Sequence, residues 1–446
     1  MGGNETFGHL RGILDETLRG LPETRKGTNT VYTMRDAGLA AFSVLFMQSP
    51  SFLAHQQLMQ TQRGFSNART LFGIERIPTD NQIRGQLDPV APTAIWPAFD
   101  QALEYAREGG ALECFRTKEG HLLSVLDGTE YFRSTKIHCT QCSHTERAGS
   151  PTEYSHMAVA AAIVAPGKPE VLPLVPEFVR QSEGAAVQDC ELVAGQRWIT
   201  ANGQRYRHLG LTILADDKYA NQPTCKKLLE EGFHLILVCK PTSHPSLYES
   251  LEVDRKGGFV ESLQRTEWTG REHLIYDYQF CNELPLRDGE DALQVNWMQL
   301  TITVQETGER KFRNSFITDF TITVDNVESL AQEGRTRWKI ENENNNTLKT
   351  KGYHFEHNFG HGTQYLSETL LTLNLLAFLF HNVLELLDEL YRELRRLLKR
   401  RTRFYDDIRA ITSYLCFAGL GSLLRFMIRA LQQGPGPPPD LDQIIN

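Results

Sequence analysis

The sequence predicts an α/β protein: a sheet domain interrupted by a β-rich insertion and flanked by helical N- and C-terminal regions. Three observations predict it. Between residues 121 and 240, three apolar strand candidates and a helix are followed by alternating strand and helix, the pattern of a sheet with helices packed on it. Residues 241–323 abandon that alternation for short runs of period two, such as HLIYDYQF and LQVNWMQLTITVQE, with Gly and Asp turns between them. On either side, apolar residues recur at helical spacing.

Taken in order, residues 1–115 read as a helical region, punctuated by Pro50, Pro78, Pro89 and Pro92. Ser66-Asn67 and Thr79-Asp80 resemble helix starts, where a short oxygen side chain accepts an otherwise orphaned backbone N–H. Residues 116–240 hold the first part of the sheet domain. HLLSVLDGTEYF is a strand expected to end at Asp127 and resume after Gly128; YSHMAVAAAIVA and EVLPLV are further strands; QDCELVAGQRWITANG is a helix closed by Gly203; LTILAD and HLILVCK are short buried strands. Residues 241–323 form the insertion. Residues 324–364 return to helix, residues 365–432 form a helical C-terminal region, and the Pro/Gly-rich residues 433–446 read as disordered.

Composition narrows the possibilities. The 446 residues allow two to four domains, and 40% hydrophobic with 23% charged residues excludes a disordered, collagen-like or disulfide-scaffold chain. Eight unevenly spaced Cys in so long a chain suggest reduced thiols. The N-terminal stretch lacks an apolar signal core, although Gly2 and Thr6 meet a loose lipidation pattern. The apolar stretch Leu370 to Leu384 falls short of the ~20 residues of a spanning helix and reads as a buried core helix, so no membrane is expected. A net charge of −8 means that nucleic-acid binding must rest on local patches.

Asp127 and Asp216 each follow a short apolar strand. Parallel neighbours bring such strand ends side by side, and a third carboxylate on a helix packed against that edge completes a pocket for hard divalent cations. Glu341, in RTRWKIENENNNTLK, is the candidate. Two Mg²⁺ ions held about 3.5–4 Å apart can activate a water or a 3′-hydroxyl and stabilise the leaving oxygen of a phosphodiester. Asp217 and Glu343 compete with Asp216 and Glu341. The Arg337-to-Glu341 spacing places both about one turn apart on one helical face.

The stretches VLDGTEYF, LADDKYANQP and RWKIENENNNTLK make the sequence resemble a DDE transposase of bacterial insertion sequences, in the cut-and-paste branch with a β-rich insertion. The resemblance implies a ribonuclease-H-like catalytic core. The first acid would lie mid-sheet on the first strand, the second after the fourth strand, and the third on a later helix. It implies Asp127, Asp216 and Glu341 as catalytic residues holding Mg²⁺ (Mn²⁺ as a substitute), with Arg337 and Lys349 on substrate phosphate. The partners would be double-stranded DNA, both transposon ends and target, and a second copy of the chain when ends are paired. The setting would be the bacterial cytoplasm, at the nucleoid. By the same resemblance Trp297 or Trp268 would stack on a flipped base at the transposon end. The family's last motif is Tyr, two residues, Arg, three residues, Glu, six residues, Lys. Here Gly334 stands at the Tyr position and Leu348 at the Lys position, with Lys349 one place late. On an unbroken helix that lag turns Lys349 by about 100°.

Two further clusters stand apart. Cys139, Cys142, His144 and His156 combine a Cys-x-x-Cys with imidazoles, donors that suit tetrahedral Zn²⁺. Arg392 to Arg409 is the one dense basic stretch, suited to phosphate neutralisation. No phosphate-cradling P-loop and no Gly-x-Ser-x-Gly occurs, so ATP use and serine hydrolysis have no support.

Overall fold

The computed structural model describes residues 5–23, 25, 31–60, 67–181 and 189–432. Gly2, Ser66 and the 433–446 tail, on which expectations were placed, lie outside them. The chain divides into two compact units: a sheet unit, Leu112–Asn345, and a helical unit made of Met1–Ala111 with Asn346–Asn446.

The helical unit begins with α1 (Glu5–Arg19), α2 (Met34–Phe46), α3 (Phe52–Gln60), α4 (Asp80–Leu87) and α5 (Trp96–Glu108). Two starts are locally encoded. Thr33 caps α2 with Asp36 reaching back, and Thr79 caps α4 with Gln82 reaching back, each worth about 1 kcal/mol. Asn67 does not cap: its side chain donates to the carbonyls of Thr412 and Leu415.

In the sheet unit, β1 (Leu122–Ser134), β2 (Ser143–Thr145), β3 (Glu153–Val164), β4 (Leu172–Pro173) and β5 (Glu177–Val179) precede α6 (Glu191–Tyr206). Then come β6 (Leu211–Ala215), α7 (Gln222–Glu230), β7 (His234–Val238) and α8 (Pro245–Gly257). The strands β8 (Glu261–Trp268), β9 (His273–Pro285), β10 (Gln294–Val304) and β11 (Arg310–Thr318) follow, and α9 (Val327–Arg335) closes the unit with a 3₁₀ turn, Thr336–Trp338, and a π-helical segment, Ile340–Asn345. All strands join one sheet in the order β2-β3-β1-β6-β7-β11-β10-β9-β8, with β4 and β5 paired to β3. β1, β6 and β7 are mutually parallel, and β3 and β11 run antiparallel to their neighbours β1 and β7. The central strands Leu122–Leu126 and Leu211–Ala215 are buried throughout, as expected of parallel strands covered on both faces.

Several expectations are corrected. β1 does not end at Asp127: it pairs with β3 from Leu123 through Ser134, with one irregularity between Glu130 and Phe132. The ladder with β6 reaches only to Val125, so the strand loses one neighbour at Asp127 and keeps the other. Gly203 does not close the helix, because α6 runs on to Tyr206; there Gly203 gives room to the Glu231 side chain. The EVLPLV strand shrinks to Leu172–Pro173. Residues 241–323 are not purely β: they include α8, and their strands extend the central sheet through the β7–β11 pairing. The segment expected as one helix around Glu341 is α9, a 3₁₀ turn and a π segment in series.

The helical unit resumes with α10 (Asn346–Thr350), α11 (Leu366–Leu387), α12 (Glu389–Leu397), α13 (Arg401–Thr412) and α14 (Leu420–Gln432). α11 is apolar on every side and packs against α1, α2 and α5, as a fully buried helix must. It is long and apolar enough to cross a membrane, yet 83% of its most apolar window is buried inside this unit. Each large side chain it buries contributes about 1.5–3 kcal/mol.

Candidate active site

Register brings the two aspartates together. Val125 of β1 pairs with Leu214 of β6 in a parallel ladder. Two residues beyond this pair stand Asp127, still on β1, and Asp216, just past the end of β6. Asp216 ends β6 in a turn: its carboxylate accepts the Lys218 backbone N–H at 3.0 Å and its carbonyl accepts that of Tyr219 at 3.1 Å. Asp217 has a different task. It accepts the Lys240 backbone N–H and the Ser243 hydroxyl and lies 3.5 Å from His244, tying down the turn between β7 and α8.

The π segment packs on β1 and β3, and the 3₁₀ turn packs on β6. Arg337 and Glu341 form an ion pair there, Nη2 to Oε1 at 2.9 Å. Both charges reach Asp127: Arg337 lowers its pKa and Glu341 raises it. Glu343 instead lines a separate groove with Lys168, Arg335 and Lys339. Of the competing acids, Glu341 and Asp216 are the ones whose charges reach Asp127, whereas Asp217 and Glu343 have other surroundings.

A fourth carboxylate escaped the sequence reading. Glu191 opens α6, and its side chain lies over Gly128, the residue after Asp127. A Cβ at Gly128 would meet the Glu191 carboxyl carbon at 2.5 Å. One Glu191 oxygen accepts the Lys218 ammonium at 2.9 Å; the other is buried without a hydrogen-bond partner. Tyr219 braces the helix from below, its hydroxyl near the Glu191 carbonyl at 3.4 Å and its ring filling the space beside Gly195. The signal in the sequence was Gly-after-Asp in a strand, which marks close approach by another group; which group approaches depends on the fold.

Burial is the main cause that pushes the Asp127 carboxyl up to about 7, with Glu191, Glu341 and Asp216 adding to the rise and Arg337 opposing it. Burial also raises Asp216, against the Lys218 amide and ammonium. The Glu191 carboxylate, by hydrogen bonding, raises the Lys218 ammonium. Asp127 thus feels the charges of Glu191, Glu341, Asp216 and Arg337, with Lys218 bound to Glu191; all the acids of the set offer hard oxygen donors, the type divalent cations prefer.

Other expected residues lie elsewhere. Trp297 is fully buried on β10, its indole N–H 3.3 Å from the Tyr248 hydroxyl, because α8 covers that face of the sheet; it cannot stack on a base. Trp268, at the end of β8, is 55% exposed. Lys349 belongs to the helical unit, where it pairs with Glu356 at 2.9 Å. Cys139, Cys142 and His156 converge, whereas His144 is exposed on β2 and takes no part. The basic stretch is smaller than its sequence suggests. Arg395 and Arg401 are mostly buried around Glu385, and Arg409 donates to the carbonyls of Met47 and Gln48, which leaves Arg396, Lys399, Arg400 and Arg403 exposed. No protein-family model and no curated protein matches this chain.

Proposed function

We propose that the chain is a DDE-type DNA transposase that cleaves the ends of an insertion sequence and joins them to target DNA. The observation that carries the reading is that Asp127 and Asp216 follow the paired positions Val125 and Leu214 of parallel neighbours, while the charges of Arg337 and Glu341, from a later helical segment, act on Asp127. The strand order supports a ribonuclease-H-like core. With β1, β3, β5, β6 and β7 taken as the core strands, paired in the order β5-β3-β1-β6-β7, the first acid lies on the first strand, mid-sheet, and the second follows the fourth.

The two departures from the family motif have local reasons. Gly334 is required where the family has Tyr, since a Cβ there would meet the Phe316 ring at 2.9 Å and Ile236 at 3.1 Å. The one-residue lag of Lys349 follows a π-helical stretch, Ile340–Asn345, the winding that takes up one extra residue.

The donor set fits Mg²⁺: hard carboxylates only, one of them with a buried oxygen in need of a partner. Asp127, Asp216, Glu191 and Glu341 would hold it. Bound Mg²⁺ supplies a Lewis acid that activates the attacking hydroxyl and neutralises the phosphodiester. The chain's own residues orient the site. Arg337 directs the Glu341 carboxylate and offers a guanidinium to phosphate, and Lys218 fixes Glu191. The exposed cations Arg396, Lys399, Arg400 and Arg403 offer sequence-independent contacts to DNA. Pairing two ends calls for two copies of the chain.

The test uses a supercoiled plasmid carrying this gene with its native flanks, incubated with wild type or Asp127→Ala, in Mg²⁺ or chelator. Release of one discrete fragment that inserts into target DNA, with at least a ~10³-fold loss in the variant, is the expected result. Scattered nicking without joining would mean a nuclease of the same fold. Binding without any cleavage would mean a DNA-binding protein and would overturn the enzyme reading.

A further inference from the structure

The second cluster along the β1–β3 pair has nothing in common chemically with the carboxylates. After β1 ends at Ser134, the chain turns through Cys139 and Cys142 and comes back beside β3, which carries His156 opposite Phe132. The three donor atoms form a near-equilateral triangle: Sγ to Sγ 3.7 Å, and each sulfur to His156 Nε2 3.4 Å. That separation is too long for a disulfide. Zn–S bonds of about 2.3 Å and a Zn–N bond of about 2.0–2.1 Å at tetrahedral angles put two sulfurs about 3.8 Å apart and a sulfur and nitrogen about 3.5 Å apart. The triangle has the dimensions of three corners of that tetrahedron.

The surroundings hold the donors in this geometry. The Cys139 backbone N–H donates to Cys142 Sγ at 3.4 Å, and the Cys142 N–H to the Cys139 carbonyl at 3.2 Å, so the turn folds around the sulfurs. An amide aimed at sulfur is a partner suited to a metal-bound thiolate. The His156 ring stacks on Tyr131 with centroids 5.6 Å apart and planes 14° apart. Cys142 and His156 are buried, where a pair of thiols and an imidazole gain little from water. His138 stacks on Tyr154 and His144 is exposed, so neither joins the two sulfurs as His156 does.

We infer that Cys139, Cys142 and His156 bind a structural Zn²⁺ ion that clamps the turn after β1 onto β3, with one further donor completing the tetrahedron. Soft thiolates with imidazole select zinc against Mg²⁺, so the two sites along the β1–β3 pair do not compete for ions. The clamp is distinct from the carboxylates: Ala160, opposite Asp127, and His156 are four residues apart on β3, about 13 Å along the strand.

The experiment is metal analysis of the full chain purified under reducing conditions without added metal. About one zinc per chain is expected, retained in His144→Ala and lost in Cys142→Ser and His156→Ala. Replacement by Co²⁺ should give a sulfur-to-cobalt charge-transfer band that the same two variants lack. Should those variants fail to fold, the wild-type chain decides. Stripped by chelator and titrated with Zn²⁺ against a chromophoric competitor, it should take up about one equivalent and regain any lost circular dichroism. A folded wild-type chain that takes up neither zinc nor cobalt with sulfur ligation overturns the inference. So does zinc retained at about one per chain in a folded Cys142→Ser/His156→Ala double variant. None of these readouts depends on DNA cleavage.

Discussion

Two clusters built on opposite principles lie along the β1–β3 pair. The carboxylate cluster at Asp127 gathers acids from β1, α6, the end of β6 and the π segment, elements spread from residue 122 to residue 345. The thiol–imidazole cluster beyond Ser134 uses one short turn and a residue of the adjacent strand. The first sits half-buried where β6 stops, its charges only partly balanced by Arg337 and Lys218. The second is packed against aromatic rings. An open site of hard oxygens suits an exchangeable ion and a phosphate substrate, whereas a closed soft site suits a resident ion. The difference shows how neighbouring stretches of one sheet can be specialised by burial and donor type alone.

The largest expected effect tests the electrostatic strain of the first cluster. Because the folded Asp127 carboxyl is raised above its unfolded value, the folded chain binds the proton more tightly. The contribution of this one group to stability is fully present below about pH 4 and is lost as pH rises through about 7. Asp127→Asn should therefore stabilise the metal-free chain at pH 8 by on the order of 2–4 kcal/mol and flatten that part of the pH profile. Thermal melts from pH 4 to 8 in chelator check it, and a variant with an unchanged slope would mean that Asp127 is not the strained group. Mg²⁺ should restore stability to wild type at high pH and do nothing for the variant.

A smaller effect separates Glu191 from the rest. Glu191→Gln keeps the shape over Gly128 but removes one negative charge, so the apparent pKa of Asp127 should fall and the stability loss should move to lower pH. The Mg²⁺ concentration needed to stabilise the chain should rise about 10–100-fold, measured as the midpoint of a Mg²⁺-dependent melting series. An unchanged midpoint would remove Glu191 from the metal site. The smallest effect contrasts the two clusters directly. His144→Ala, an exposed site, should shift stability by less than ~0.5 kcal/mol and leave both the Mg²⁺ and the zinc responses unaltered.

Much was legible without coordinates. The apolar run before Asp216, the Cys-x-x-Cys spacing, the helix start at Thr79-Asp80 and the buried apolar character of α11 each depend on residues within one element of each other. Local sequence suffices for such features because their partners are near in the chain. Trp297 was misjudged for the converse reason: alternation along β10 says that it shares a face with its second neighbours, but not that α8 covers that face. Arg395, Arg401 and Arg409 look like a solvated patch in the sequence. In the fold they reach inward to Glu385 and to backbone carbonyls, since a long side chain can bury its stem and spend its charge on a distant partner.

By itself, then, the sequence determined the kinds of donors available and the strands and helices that bear them, because periodicity and capping are short-range physics. Which donors meet was decided by the tertiary structure. Parallel register set Asp127 and Asp216 each two residues beyond the paired Val125 and Leu214, the start of α6 laid Glu191 over Gly128, and antiparallel register placed His156 rather than His144 at the two sulfurs. A shift of one residue in either ladder would send every side chain to the other face. That sensitivity is why the membership of both sites resides in the fold.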